Sequence, residues 1–327
     1  MTARRCALLV AVAVLAAAPY WLPGSYYVNI ATQILFYAIF ALGVDVLLGY
    51  GGLVSLGHAG LFGLASYVVA VVVAAGWGHF AAIVLALALT LAATGVFALM
   101  ALRSIGIGFL MITLALGQIL WGLAYRWIDV TNGDNGLNVA TRPAPFGISL
   151  VSANALYYAV LVIFLIAVAA VAAFVASPFG ASLRGTRDQP RRMNALGYNV
   201  WMIRFCACLF SGLLSAVAGI LFVYYNQFIS PQTLALTASA EVVLMVISGG
   251  AGTLLGPIVG AALVVIMKNV ASAYIVRWNF LLGAIFVAIV IFMPEGLVPG
   301  TVRFARWARK AFSSHRAALP ASREAGP

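Results

Sequence analysis

Ionisable and polar side chains inside apolar stretches are the residues of this sequence best placed to do chemistry. Asp45 and Glu241 each lie within an apolar run, and Ser55 and His58 lie together just after a run of glycines. A charged group within a membrane segment is costly, so such groups commonly line a polar path or pair with another helix. We interpret these four residues as candidates for a polar path. A lone membrane histidine more often bonds a backbone carbonyl, so a packing role for His58 stays open.

Residues that would support catalysis or metal binding do not cluster along the sequence. A phosphate-binding G-x-x-x-x-G-K-[ST] loop is absent, and the two lysines, Lys268 and Lys310, lie in other contexts. The three histidines, His58, His79 and His315, fall in separate regions. We therefore predict no catalytic residue, no metal site and no cofactor bound by this chain.

Glycines and other small residues mark a predicted break between two short apolar segments. Glycine permits backbone conformations that end a helix, so we predict a helix break at Gly249, Gly250 and Gly252. Small residues also allow helices to approach closely in lipid. Two rows of them recur every four positions, namely Ser248, Gly252, Gly256 and Gly260, and Ser211, Ser215 and Gly219. We interpret both rows as helix-packing surfaces, with broken helices at a polar path as the alternative.

The elements that carry these residues are membrane helices, because the composition excludes a soluble domain. Of 327 residues, 65% are hydrophobic and 8% are charged, whereas a soluble domain has about 25% charged residues. The net charge of +11 does not indicate nucleic-acid binding, since the arginines lie in loops between apolar runs. Arginines at such positions set the orientation of membrane proteins.

The apolar runs predict an all-α, polytopic integral membrane bundle with about ten transmembrane segments. A span needs roughly 20 apolar residues, and the eighth and ninth runs are short enough to be tilted or partly re-entrant. The predicted segments are Cys6–Tyr20, Val28–Leu48, Leu53–Ala75, Phe80–Leu102, Ile105–Trp127, Leu156–Ala176, Val200–Tyr225, Thr233–Gly249, Leu254–Asn269 and Phe280–Met293.

The distribution of basic residues predicts the orientation. With the amino terminus inside and alternating segments, the inner loops and tails hold 14 of the 18 Lys and Arg residues and the outer loops hold 4, as the positive-inside rule requires. Both termini are then cytoplasmic. Residues 1–27 form either a first transmembrane helix or an uncleaved signal anchor, although Arg4-Arg5 and the alanines at 16–18 also resemble a cleavable signal peptide. Residues 28–298 form the transmembrane domain, and residues 299–327 form a basic cytoplasmic tail.

Two polar segments interrupt the membrane helices. Residues 128–155, here called the outer loop, are rich in Asn, Gly, Pro and Asp, and residues 177–199, here called the basic loop, are rich in arginine. We predict one short surface helix in the basic loop, at about Pro190–Leu196, with Asp188 as its cap, Pro190 in its first turn and Gly197 at its end. This helix either docks a cytoplasmic subunit or is an unpartnered positive loop.

Four stretches of the sequence resemble the permeases of branched-chain amino-acid ABC importers. Gly49-Tyr-Gly-Gly-Leu-Val-Ser-Leu-Gly-His-Ala-Gly60 resembles the family signature GYxGQxSLGHA, with Leu53 in place of the usual Gln. Gly106–Gln118 resembles GIYFAIVTLALGE, Thr131–Leu137 resembles LTGGxNGL, and Val243–Ala261 resembles LLMVVLGGLGTLLGPVLGA. Their order and spacing hold from about residue 28 to 298 and favour the longer, M-type permease subunit.

The resemblance gives the basic loop a meaning as the coupling loop that such permeases insert into an ATPase subunit. Its pattern, R-x-I-R-E-x-E-x-A-A-x-x-x-G, is matched at four positions, while Pro190 replaces the second acid and Arg192-Met193 replace the alanine pair. We expect the docking role to survive these departures. The candidate docking residues are Arg184, Arg187, Asp188, Pro190, Arg191, Arg192 and Gly197.

The resemblance also implies a complete transport assembly. It comprises this permease, a second permease subunit, two cytoplasmic ATPase subunits that carry ATP and Mg, and a periplasmic substrate-binding protein, all at the bacterial inner membrane. ATP binding would drive alternating access through the coupling helix. The outer loop would meet the binding protein, with candidate contacts at Asn132, Asp134, Asn135 and Arg142.

The implied substrates are leucine, isoleucine and valine. Sister importers for urea, short amides, aromatic acids or sugars remain alternatives because of Leu53. A stand-alone secondary transporter would usually have more ion-coordinating groups in its membrane segments than Asp45 and Glu241 provide. A membrane enzyme is the least favoured class, because no catalytic constellation is present.

Overall fold

A computed structural model of the chain describes residues 13–21, 24–139, 141–143 and 150–274, with scattered positions between 280 and 300. Residues 13–21 are helical. The subsequent helices are α1 (Ser25–Asp45), α2 (His58–Ala74), α3 (His79–Ala101), α4 (Ile107–Arg126), α5 (Ile128–Thr131), α6 (Ala153–Ala176), α7 (Pro178–Asp188), α8 (Pro190–Ala195), α9 (Val200–Asn226), α10 (Leu236–Gly249) and α11 (Gly256–Tyr274). A π-helical turn, Val46–Tyr50, continues α1, and short 3₁₀ turns cover Gly133–Asn135 and Pro231–Leu234.

The described helices form the helical membrane bundle that the apolar runs predict. Helix α1 with its π turn, α3, α4, α6 and α9 are each long and apolar enough to cross a membrane, and α2, α10 and α11 are shorter apolar helices. At 1.5 Å per residue, the 14 residues of α10 extend about 21 Å, less than the ~30 Å of a hydrocarbon core. Eight predicted segments thus correspond to described helices. The first and tenth fall partly outside the described residues.

Helices α1 and α9 are the centre of the bundle, and α3, α4 and α6 lie at its periphery. The most apolar stretches of α1 and α9 are 72% and 67% buried, against 22% to 28% for the other three. The peripheral helices expose large side chains such as Leu89, Met111 and Ile166. Exposed apolar side chains are solvated by lipid in a membrane protein, so these three helices face the bilayer or another membrane subunit.

Small residues bring α9 into close contact with α1 and α2. The Ser211 hydroxyl donates a hydrogen bond of 2.5 Å to the Gly43 carbonyl in α1. The Ser66 hydroxyl in α2 donates one of 2.7 Å to the Gly219 carbonyl in α9. A methyl group at Gly219 would overlap the Phe62 carbonyl. The packing interpretation of the row Ser211, Ser215 and Gly219 is therefore confirmed.

Helices α10 and α11 form a tight hairpin around the glycine-rich break. Helix α10 ends at Gly249, and Gly250 and Gly252 have φ angles of 117° and 77°, which L side chains rarely adopt. Across the hairpin, a methyl group at Gly260 would overlap the Met245 carbonyl, and one at Gly249 would overlap the Gly256 carbonyl. The hairpin therefore requires glycine both to turn and to close.

Alanine at Gly260 is expected to destabilise the protein. Its methyl group would collide with backbone atoms of α10, and overpacking of this kind costs about 1–3 kcal/mol. We expect a lower thermal unfolding midpoint for Gly260→Ala in detergent, measured by intrinsic fluorescence. The matched control is Gly95→Ala, whose methyl group would meet one side-chain atom at 3.9 Å. Equal midpoints for the two variants would contradict the close crossing.

Two predicted boundaries are corrected by the structure. The third segment was expected from Leu53, but α2 begins at His58 and residues 51–57 are not helical. Gly52 has a φ of 68°, and the Leu56 N–H finds its acceptor in the Thr113 hydroxyl of α4, at 3.3 Å, outside any helical ladder. The ninth segment was expected to end at Asn269, whereas α11 continues to Tyr274.

Candidate functional site

The basic loop folds into two helices, of which the first is anchored in the bundle. Helix α7 is capped by the Ser177 hydroxyl, which accepts the Gly180 N–H at 3.2 Å, and Pro178 lies in its first turn. Leu183 and Thr186 are fully buried. Arg204 of α9 donates a 2.9 Å hydrogen bond to the Thr186 carbonyl. Motion of α7 would therefore be transmitted directly to the core helix α9.

The second helix, α8, has no buried residue. It begins at Pro190, and Gly197 follows its end with a φ of 85°. The Tyr198 N–H donates to the Met193 carbonyl at 3.1 Å and the Gly197 N–H to the Asn194 carbonyl at 3.0 Å, which is a Schellman motif. Among the residues exposed on and beside α8 are Arg191, Arg192 and Leu196. Helix α8 thus presents charged and apolar groups outside the bundle.

The predicted capping role of Asp188 is wrong. Asp188 is the last residue of α7, and the residue that precedes α8 is Gln189, whose side chain caps no N–H. The reason is the additional helix α7, which extends to Asp188 and leaves one residue between the two helices. The side chains of Arg184, Arg187 and Asp188 are all on α7 and exposed.

Arg187 connects the basic loop to the glycine-rich break through α1. Its guanidinium donates a hydrogen bond to the Gly49 carbonyl in the π turn. In the same place Asp45 accepts the Gly252 N–H at 2.8 Å. These four residues, Arg187, Gly49, Asp45 and Gly252, are here called the joint. They bring together α7, the end of α1 and the α10–α11 hairpin.

The joint is closely packed and places a buried acid near a cation. A methyl group at Gly49 would overlap both the Asp45 carboxylate and the Gly252 backbone. Asp45 is 1% exposed, and its second carboxylate oxygen has no hydrogen-bond partner among the described residues. The Arg187 guanidinium is the nearby positive charge that attracts it. A buried carboxylate is tolerated when a cation and hydrogen bonds compensate it, so the contacts of the joint depend on one another. A π turn at such a place is typical of functional sites.

His58 and Ser55 lie at the start of α2, close to the joint in sequence but in a separate cluster. The His58 Nε2 atom lies 2.8 Å from the Ser211 hydroxyl. Since that hydroxyl already donates to the Gly43 carbonyl, Nε2 carries the proton and donates to Ser211. Ser55 is buried and accepts the Gly57 N–H at 3.4 Å. Both side chains therefore hold the turn before α2 against its neighbours, and His58 pairs with a serine hydroxyl and not with the backbone carbonyl that the packing interpretation expected.

Glu241 pairs with another helix. Its two carboxylate oxygens lie 3.2 and 3.3 Å from Nζ of Lys268 in α11. Both residues line a cavity of about 570 Å³, which is separate from the joint. Lys268 was not singled out from the sequence. The signal that could have identified Lys268 is its position as a charged residue within the predicted apolar segment Leu254–Asn269.

The outer loop carries exposed polar residues and an internal clamp. Asn132, Asp134 and Asn135 are exposed, and Asn132 has a left-handed φ of 58°, which asparagine tolerates. Arg142 differs, because its guanidinium donates to the carbonyls of Tyr224 and Tyr225 at 3.1 Å and also to those of Leu150 and Val151. Strands β1 (Leu137–Asn138) and β2 (Phe228–Ile229) pair beside it. Arg142 therefore closes the loop onto the end of α9, which leaves three residues as candidate external contacts.

The described residues include no group of three His, Cys, Asp or Glu side chains that could hold a metal ion. The polar groups described above bind one another and backbone atoms, except for one carboxylate oxygen of Asp45 and Nδ1 of His58, which have no partner among the described residues.

Comparisons with known proteins agree with this geometry. Residues 26–290 match the family model described as "Branched-chain amino acid transport system / permease component". The chain is 26% identical to the high-affinity branched-chain amino acid transport system permease protein LivM of Salmonella typhimurium, over 84% of this chain and 70% of that protein. It is 26% identical to LivM of Escherichia coli K12, over 92% and 76% respectively. The autoinducer 2 import system permease protein LsrC of Salmonella paratyphi B is 31% identical over 54% of this chain and 50% of that protein. No solved structure matches the chain.

Proposed function

Because this chain belongs to the family of branched-chain amino acid transport system permease components, we propose that it moves branched-chain amino acids across the bacterial inner membrane by alternating access. It is a multi-pass membrane protein and a transport subunit. In the proposed assembly it pairs with a second permease, receives substrate from a periplasmic binding protein, and is driven by two ATPase subunits. ATP and Mg would bind on those ATPase subunits. Both termini would face the cytoplasm.

The observation that carries the proposal is the joint. Helix α8 has no buried residue, so its surface is available to an ATPase subunit. Helix α7 ends two residues before α8 begins. It is tied by Arg187 to the end of α1, which Asp45 in turn ties to the α10–α11 hairpin. A displacement of α8 would therefore reach both the central helix and the hairpin.

Alternating access through this connection needs two packings of similar free energy. Closely packed helices shift as rigid bodies, because their interfaces have discrete arrangements. ATP binding would favour one packing by its differential affinity for the two states. The α10–α11 hairpin is suited to such a shift, since Gly249 and Gly260 lie directly against backbone atoms across it.

Branched-chain amino acids are the substrates that the relatives favour. The two LivM proteins cover most of this chain, whereas LsrC covers about half. Leu53, the departure from the family signature, is 4% exposed and its N–H bonds the Leu47 carbonyl at 2.8 Å. Its side chain is part of the core, so the departure gives no reason to prefer another substrate. A sister importer, for example for urea, short amides, aromatic acids or sugars, is the second candidate because of the LsrC similarity.

Deletion of the gene is expected to reduce uptake of radiolabelled leucine to background in cells that otherwise import it. Unlabelled valine should compete with leucine in the parent strain, and urea and benzoate should not. Restoring the gene should restore uptake. If leucine uptake is unchanged by deletion, the branched-chain proposal is wrong, and the substrate must be sought through the binding protein.

A further inference from the structure

The cavity that contains Glu241 and Lys268 combines an aromatic wall with a charged rim. It lies between α1, α2, α9, α10 and α11. Phe36, Phe40, Phe62 and Phe222 line one side. Phe62 stacks on Phe40 at 4.6 Å between ring centroids and meets Phe222 edge-on at 5.2 Å. The volume of about 570 Å³ is in the range of small-molecule sites.

The cavity lies at the outer-loop end of the bundle. Part of its lining comes from Asn226, the last residue of α9, and from Gln232 and Thr233 in the segment that follows β2. Strand β2 pairs with β1 of the outer loop. A molecule released at the outer loop would therefore meet this cavity before it reached the joint at the opposite end of α1.

The ion pair at the rim is accessible from the cavity. The Glu241 side chain is 20% exposed and the Lys268 side chain 41% exposed. Near them, the Gln33 amide is held in place, since its Oε1 accepts from Asn269 at 3.0 Å and its Nε2 donates to the Tyr225 hydroxyl at 3.1 Å. Both charges thus lie beside a fixed polar group, and the apolar wall of phenylalanines lines the same cavity.

We propose that this cavity is a binding site for a zwitterionic amino acid with an apolar side chain. Glu241 would accept hydrogen bonds from the α-ammonium group, Lys268 would donate to the α-carboxylate, and the aromatic wall would take the side chain. One ion pair is exchanged for two, so no charge is left uncompensated, and charge-assisted hydrogen bonds are the strong ones. The inference rests on the proposed function for the identity of the ligand.

The chemistry of the site excludes several other solutes as good ligands. An anion such as benzoate would pair with Lys268 and leave the Glu241 carboxylate uncompensated. A neutral solute such as urea would not replace the ion pair, and it has no apolar part for the phenylalanines. Only a solute with both charges and an apolar body satisfies both parts of the cavity.

The test measures ligand binding to the complete transporter in nanodiscs, without the binding protein. Binding is detected by saturation-transfer NMR. The probes are L-leucine, leucinol, which lacks the carboxylate, and 4-methylpentanoate, which lacks the ammonium group. Lys268→Met should weaken the binding of leucine at least tenfold but the binding of leucinol less than twofold. Glu241→Gln should weaken the binding of leucine and of leucinol at least tenfold but the binding of 4-methylpentanoate less than twofold. This pattern is a double-mutant cycle between protein and ligand.

Controls separate the site from a structural ion pair. Glu324→Gln makes the same chemical change in the tail and should bind all probes as the parent does. The double variant Glu241→Gln/Lys268→Met removes both charges of the pair, and it should still co-purify with the ATPase subunits while no longer binding leucine. Absence of leucine binding to the parent complex, or equal losses for all three probes, overturns the inference. If deletion leaves leucine uptake unchanged, the proposed function fails instead. If deletion of the gene abolishes leucine uptake but the Glu241 and Lys268 variants bind leucine as the parent does, only the assignment of this cavity is wrong.

Discussion

Replacement of Gly49 by alanine is expected to lower leucine transport at least about 50-fold while the ATPase subunits still co-purify. The new methyl group would overlap the Asp45 carboxylate and the Gly252 backbone. Relief of the overlap separates the π turn from the hairpin and breaks the 2.8 Å hydrogen bond between Asp45 and Gly252. Overpacking costs about 1–3 kcal/mol, and loss of a hydrogen bond to a charged group costs about 1.5–3 kcal/mol. Because about 1.4 kcal/mol changes an equilibrium constant tenfold, these two costs together would make the intact joint a minor state of the variant.

The matched control for Gly49→Ala is Gly122→Ala. Gly122 is also helical, and a methyl group there would meet no atom within 4 Å. Both variants would be reconstituted in proteoliposomes with the partner subunits, and leucine import and ATP hydrolysis would be measured together. We expect Gly122→Ala to match the parent and Gly49→Ala to hydrolyse ATP without import. Normal import by Gly49→Ala would show that the joint transmits nothing.

The contact between Arg187 and Gly49 explains how the Gly49→Ala variant can affect transport without altering α8. Arg187 lies on α7, beside α8, the proposed docking helix, and its guanidinium reaches the Gly49 carbonyl. Gly49 thus contacts both the basic loop, through Arg187, and the hairpin, through Gly252. A change there alters the connection and leaves the exposed surface of α8 intact.

Long elements were predictable because local composition decides them. Helix α9 was expected at Val200–Tyr225 and extends over Val200–Asn226. Its apolar run follows Asn199, whose side chain caps the Met202 N–H at 3.1 Å, and it ends before Gln227, which has a φ of 55°. Start, body and end signals agree there, so sequence alone was sufficient.

Residues whose partners are remote in sequence were not predictable. The segment 51–57 is apolar enough to read as helix, yet its fold depends on Thr113, which accepts the Leu56 N–H across 57 positions. Similarly, Ser239 accepts the Ala59 N–H across 180 positions. Arg142 was a candidate external contact because it is an outer-loop cation, and only the three-dimensional arrangement brings the last carbonyls of α9 to it.

Charge reversal of α8 is expected to abolish binding of the ATPase subunits. Arg191 and Arg192 are exposed on a helix with no buried residue, so Arg191→Glu/Arg192→Glu changes a surface and leaves the joint intact. In the proposed complex both arginines would be buried against the ATPase subunit. Truncating one partner of a buried, hydrogen-bonded charge pair costs about 2–5 kcal/mol, and reversal at two adjacent positions adds repulsion. We expect at least a 100-fold loss of affinity, measured by co-purification and by titration of ATPase subunits onto the permease pair.

The control for the α8 reversal must account for membrane orientation, since basic residues in inner loops direct insertion. Arg303→Glu/Arg306→Glu makes the same charge change in the tail and should leave both orientation and ATPase binding unaltered. Cysteine accessibility on either side of the membrane would verify the orientation of both variants. Intact ATPase binding by a correctly oriented α8 variant would exclude α8 as the docking helix. Loss of binding in both double variants would mean that total basic charge, and not this helix, holds the ATPase. Only loss confined to the α8 variant supports a specific surface, because the two changes carry the same charge and differ only in position.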